Sequence, residues 1–159
     1  MKILSLLVLC VFVIVATYVV IGVGTVIKNG TSISNTPGTI ARLKSFFTTN
    51  IAYTSPESPY PELKPRNYPL SPEKDINHYK DKVIASAEQL GYKFNSEKSP
   101  DNSLHFTITT KTFKFVDDLH IELQEDNDLL TINARSSSRT GRADFGANIA
   151  NIRNFFDAL

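Results

Sequence analysis

The sequence predicts an α+β protein: an N-terminal transmembrane helix, then a two-layer domain in which two helices cover one face of a four-stranded antiparallel meander. Three observations carry this prediction. No charged residue occurs from Ile3 to Ile27. Segments between residues 92 and 135 alternate apolar with polar side chains, the period-two pattern of half-buried strands. The stretches flanking them repeat apolar residues every three or four positions, as core-facing helices do.

The apolar N-terminus comes first. At 1.5 Å per residue a helix over 3–27 is about 37 Å long, enough to cross a roughly 30 Å hydrocarbon core with some tilt. A cleaved signal has an apolar centre of about 7–15 residues followed by an A-x-A-like site. Here Val19, Val20, Ile21, Val26 and Ile27 hold the apolar character to the end, so residues 1–28 read as an uncleaved signal-anchor. Lys2 lies at one end and Lys28, Arg42 and Lys44 near the other, so counting positive charges does not orient the span. The short N-terminal tail favours a domain outside the cytoplasm. Cys10 is the single cysteine, which excludes an intramolecular disulfide, and Leu7, Val8 and Leu9 before it do not resemble a lipoprotein site. Asn29, Gly30 and Thr31 match a glycosylation acceptor but abut the membrane, where a turn is the simpler reading.

Residues 29–71 form a juxtamembrane segment. Thr36 and Pro37 suit a helix cap and first turn. Ile40, Leu43 and Phe47 follow with Arg42 and Lys44 between them. This predicts a short amphipathic helix, either a membrane-surface or partner-binding element or a connector resting on the domain. The stretch 54–72 holds six of the eight prolines. Proline fixes φ and removes a donor, which predicts an extended strap with few ladder bonds.

Residues 72–159 make the α+β domain. Ser71 and Pro72 suit a second helix start, and Ile76, Tyr79, Val83, Ala87 and Leu90 form one stripe ending at Gly91, a C′ stop. Tyr92 and Phe94 begin the meander. Leu104, Phe106 and Ile108 continue it, then Phe113 and Phe115 lead through Asp117 and Asp118 to Leu119, Ile121 and Leu123, and Leu130, Ile132 and Ala134 close it. Asp144 is the expected cap of the last helix, with Phe145, Ile149, Ile152 and Phe156 as its apolar stripe.

Composition excludes one class of function. Lys and Arg number 17 against 16 Asp and Glu, without the basic excess of a nucleic-acid binder. Conventional catalytic and cofactor signatures are missing: no Gly-rich phosphate loop, G-x-S-x-G elbow, H-E-x-x-H or C-x-x-C occurs. No cofactor or metal is expected. His105 and His120 fall on outward strand positions near Glu122, where a wet sheet face explains them more simply than a metal. Glu125, Asp126, Asn127 and Asp128 lack the glycine and distal glutamate of a calcium loop and read as a hairpin turn.

The candidate polar cluster lies elsewhere. Asp117 and Asp118 precede a stretch containing Arg135, Ser136, Ser138, Arg139, Gly141, Arg142, Asp144, Gly146 and Asn148. Adjacent strand residues point to opposite faces, so the aspartates do not form an acid/base pair unless the chain bends. Guanidinium forks match carboxylates, which favours a polar latch between the last strand and helix. The other reading is an anion site built from Arg139, Arg142, the serines and the helix amides, with the Asp144 carboxylate competing for that place.

The Phe115-x-Asp117-Asp118 segment and the later signature, Arg135-Ser136-x-Ser138-Arg139-x-Gly141-x-x-Asp144-x-Gly146-x-Asn148, resemble the family termed domain of unknown function 1499. The likeness covers about residues 37–159. The stretches 50–55 and 61–66 resemble its membrane-anchored branch. The chain lacks the Asn-Cys-Val-Ser-Ser segment of other members, so no role of that cysteine transfers. The resemblance implies a bacterial envelope setting and no reaction. The expected protein is a single-pass inner-membrane protein with a periplasmic domain. Its partners would be the bilayer and a membrane protein, for which it would serve as a non-catalytic accessory subunit or interaction module. The competing expectation is a ligand-binding or hydrolytic domain for an anionic envelope molecule.

Overall fold

A computed structural model of the chain describes residues 2–30, 32–110 and 114–159. The expected strand start at Phe113 and the threonine of the glycosylation pattern, Thr31, lie outside the described residues. Helix α1 spans Lys2–Lys28 and is long and apolar enough to cross a membrane. Its side chains are exposed along most of its length. Towards its end Gly22 and Val26 are covered by the rest of the protein.

The sheet has six strands rather than four. Strands β3 (Lys93–Phe94), β4 (Ser103–Thr109), β5 (Val116–Asp126) and β6 (Leu129–Ser138) form the expected antiparallel meander. Two more strands come from the juxtamembrane segment, β1 just before the expected strap and β2 within it. β1 (Ile51–Tyr53) pairs with Arg135–Ser137, and β2 (Arg66–Pro69) pairs with Leu129–Ile132. They lie end to end along the free edge of β6. Thr54 bridges the gap, donating its N–H to Ala134 O at 2.8 Å and accepting from Ala134 N at 2.9 Å through its hydroxyl. Proline is tolerated here because an edge strand pairs on one side only.

Helix starts also differ from expectation. Helix α2 spans Thr39–Thr48 behind Gly38, not Thr36. Helix α3 spans Ile76–Gln89, capped by Asp75, whose carboxylate accepts from His78 N at 2.9 Å. Ser71 and Lys74 close a separate turn. Gly91 ends α3 with φ +78°, as expected. Helix α4 spans Ala147–Ala158, and Asp144 reaches its first turn from outside, accepting from Asn148 N at 3.1 Å.

The core lies between the sheet and α3 and α4. Leu104, Phe106, Leu119, Ile121, Leu130 and Ile132 face Val83, Ala87, Ile152 and Phe155, all buried. Ser86 ties the two helices by donating to Ala158 O at 3.1 Å.

Helix α2 buries a different face from the one expected. Arg42 and Phe46 are fully enclosed, while Ile40 and Phe47 are 85% and 49% exposed. Arg42 is buried because its charge is answered. Its Nη1 donates to Glu62 Oε1 at 2.6 Å, its Nε to the carbonyls of Asn35 and Thr36 at 3.0 Å, and its guanidinium covers the Tyr60 ring at 4.9 Å. Burial pushes the Glu62 carboxyl up, but the Arg42 hydrogen bond and charge bring it below its ordinary value. This pair fastens the excursion between β1 and β2 onto α2.

Candidate functional site

The signature residues gather at one end of the sheet, where β5 begins, β6 ends and α4 starts. Strand alternation divides them between two faces. Asp117 and Ser136 point beneath α4 and Asp118 and Arg135 point outward, as the burial alternation along β5 and β6 requires.

Beneath α4, Asn148 is the hub. Its amide donates to Asp144 Oδ2 at 2.6 Å, Asn50 O at 2.8 Å and Ser138 Oγ at 3.1 Å, and its oxygen accepts from Ser136 Oγ at 2.6 Å. One turn along, Asn151 donates to Asp117 Oδ2 at 3.0 Å and to Ser136 Oγ at 3.3 Å. Asp144 also accepts from Gly146 N at 2.8 Å. Burial raises the Asp144 carboxyl above its ordinary value despite these donors, and Asp117 adds to the rise. The Tyr92 hydroxyl is pushed up to about 12, chiefly by burial and then by Asp117. The helix amides that could hold an anion are thus occupied by the protein's own carboxylate.

On the outer face Asp118 is the centre. It accepts from Arg139 Nη2 and Nε at 2.7 and 2.8 Å and from His105 Nε2 at 2.9 Å. Arg139 is the main reason its carboxyl is held down to about 2. His105 is only 1% exposed, and its ring lies 4.5 Å from that of His120, its cross-strand neighbour. Burial, then His105, lowers the His120 imidazole. Arg135 is exposed next to His120 on β6. These two line an open groove of about 460 Å³ together with Tyr53, Glu122, Gln124 and Asn133. A second groove of about 350 Å³, between α2, β1 and the excursion, is bordered by Ile51, Tyr53, Tyr60 and Leu63.

Arg142 stands exposed in the loop after β6. Gly141 in the same loop has φ +91° and offers its carbonyl to Asn50 Nδ2 at 2.8 Å. Asp117, Asp118, Arg135, Arg139 and Arg142 therefore do not converge on one cavity. Among the described residues, no three His, Cys, Asp or Glu side chains come together as a metal would need. Sequence reasoning missed Asn50, Asn151 and the enclosure of His105. Asn151 was accessible, because it lies three residues after Asn148 on the helix face that meets the sheet.

Fold and site define a class: an antiparallel α+β domain behind one apolar N-terminal helix, with a polar strand-to-helix latch at the end where that helix joins. The chain belongs to the DUF1499 family of proteins of unknown function, whose signature matches residues 31–159. No curated protein matches it.

Proposed function

We propose that the protein is a membrane-anchored, non-catalytic accessory or interaction module of a bacterial inner-membrane complex, with its domain on the periplasmic side. The observation that carries this reading is the state of the family signature. Asp117, Ser136, Ser138, Asp144 and Asn148 direct their polar groups at one another and at Asn50 and Asn151. Asp118 is taken up by Arg139 and His105. Groups committed to internal bonds stabilise a fold, and leave little for a substrate.

Retention of α1 as an anchor is supported by its docking on the domain. The Gly22 backbone lies against the Phe47 and Phe145 rings, Asn29 Nδ2 donates to Phe145 O at 2.9 Å, and Arg153 donates to the carbonyls of Asn29 and Gly30 at 2.9 and 2.7 Å. A helix cut off after export has no use for such bonds. The outer groove, with Tyr53, His120 and Arg135, is the partner surface in this reading.

Affinity capture of the full chain in mild detergent tests it, with Arg135→Glu beside the parent. A defined membrane complex, lost on Arg135→Glu while the domain stays folded, is expected. Purification of the parent alone under several gentle conditions would sink the proposal. The second reading, an anionic envelope ligand, is favoured by the imidazole and guanidinium in one groove; saturable binding of such a molecule to the purified chain, abolished by Arg135→Glu, would replace the first.

A further inference from the structure

The way α1 joins the domain fixes which end of the domain meets the bilayer. The Phe145 and Phe47 rings pack against Gly22, at 3.4 and 3.5 Å from where a side chain there would begin, and against each other edge-on at 5.4 Å. Gly22 lies five residues before the end of the apolar run at Ile27, a depth of about 8 Å along the helix. Amphipathic surface elements bury their apolar face about 5–10 Å into the boundary between headgroups and acyl chains.

Phe145 lies two residues before α4, whose first turn meets the end of β6 through Asn148 and Ser138. The same end of the sheet carries the start of β5, since Arg139 N donates to Val116 O at 3.0 Å. Exposed apolar residues there include Phe115 (53%), Ile51 and, on α2, Ile40 and Phe47. Exposed basic residues stand among them: Lys44, Lys114 and Arg142. None of these three is in an ion pair among the described residues. The signature acids are turned inward or taken up, Asp117 and Asp144 beneath α4 and Asp118 by Arg139 and His105, while the exposed Glu57 borders the groove between α2 and β1. Aromatic side chains with interspersed lysine and arginine match an anionic phospholipid surface.

We infer that the α2 face of Ile40 and Phe47, Phe115 just before β5 and the loop 139–146 seat on the anionic headgroup surface of the bilayer that α1 crosses. The signature loop is thereby held at the membrane, and the outer sheet face rises from it. This inference rests on α1 being a membrane span.

The chain contains no tryptophan, so single tryptophans report without background. Four variants of the full chain are reconstituted in vesicles of anionic phospholipid brominated at a shallow or a deep acyl position: Y18W within α1, F47W, F115W, and L129W at the far end of the sheet. Y18W is expected to lose emission to deep bromines, and F47W and F115W to shallow ones. L129W is expected to remain open to an aqueous quencher only. Zwitterionic lipid should weaken the quenching of F115W. Y18W without lipid quenching would overturn the span itself, and this inference with it. Y18W quenched while F47W and F115W match L129W would overturn the seating alone. Protection of F47W and F115W from aqueous quencher without bromine quenching would mean a protein covers this end, and would also overturn it. Quenching confined to F47W would overturn the seating of the sheet end, and F115W quenching unaffected by lipid charge would overturn the anionic preference.

Discussion

Asp117 and Asp118 are neighbours in the chain and serve opposite faces of the sheet. Asp117 receives Asn151 beneath α4 at 3.0 Å, whereas Asp118 receives the Arg139 guanidinium outside at 2.7 and 2.8 Å. Their replacement should therefore produce different defects. In Asp117→Ala the half-buried Asn151 amide loses its nearer acceptor, a cost of about 1 kcal/mol. Chemical denaturation of the detergent-solubilised chain, followed by far-UV circular dichroism, measures it.

Asp118 predicts a pH dependence with a defined sign. Its folded pKa is held down to about 2 from an ordinary 3.8. A depressed carboxyl contributes stability that is present in full above its unfolded value and lost as pH falls through the folded one. The stability gap between the parent and Asp118→Asn should hold steady at neutral pH and close between about pH 4 and pH 2. With Arg139→Ala in the background the gap should be smaller at neutral pH, because the main cause of the depression is gone.

Asn148 gives a sharper test of the latch. Asn148→Ala strips donors from Asp144, Asn50 O and Ser138 and should destabilise by about 2–4 kcal/mol, since several buried groups lose partners at once. Asn148→Asp keeps the shape but sets a second carboxylate against Asp144, 2.6 Å from its oxygen. Two carboxyls so close share a proton. The aspartate variant should thus be the less stable of the two at neutral pH and recover as pH falls towards about 5. Equal stability of Asn148→Asp at both pH values would count against the buried bond.

Much of this architecture was legible from local pattern. The meander followed from alternation along Leu104, Leu119 and Leu130, and α3 and α4 from their stripes, because those signals repeat within one segment. The same alternation separated Asp117 from Asp118. What stayed hidden depends on partners far away in sequence. β1 and β2 are short, one of them contains Pro69, and their pairing is supplied by β6. Arg42 read as the polar side of α2 because Glu62, which answers its charge, lies beyond Asn50. Asn50 bonds the signature loop through its side chain and Asn148 through its carbonyl, and a backbone partner leaves no mark in side-chain patterns.

The Arg42–Glu62 pair carries a prediction of its own. Arg42 is fully buried while Glu62 is half-buried, so removing Arg42 costs about 1–3 kcal/mol, chiefly through the carbonyls of Asn35 and Thr36 left without their donor. Arg42→Ala should release the excursion 55–65 before the sheet unfolds. Limited proteolysis should then cut near Glu57 to Pro61 in the variant while the parent resists.

Two signature glycines separate backbone freedom from close packing. Gly141 has φ +91°, and an added Cβ there would meet only Ala143 O, at 3.6 Å. Gly141→Ala therefore bears the left-handed backbone penalty alone, about 1–2 kcal/mol. Gly146 has φ +79°, and its Cβ would lie 3.0 to 3.3 Å from three atoms of the Phe46 ring. Phe46 is fully buried, so the ring cannot swing aside without disturbing α2, and overpacking adds about 1–3 kcal/mol to the backbone term. Gly146→Ala should thus be clearly more destabilising than Gly141→Ala in the same denaturation experiment. It should also loosen the aromatic contact of Phe47 with Phe145, whose neighbours in the chain are the two residues forced apart. If the two glycine variants unfold alike, α2 does not press on the start of α4, and the latch is held by its hydrogen bonds alone.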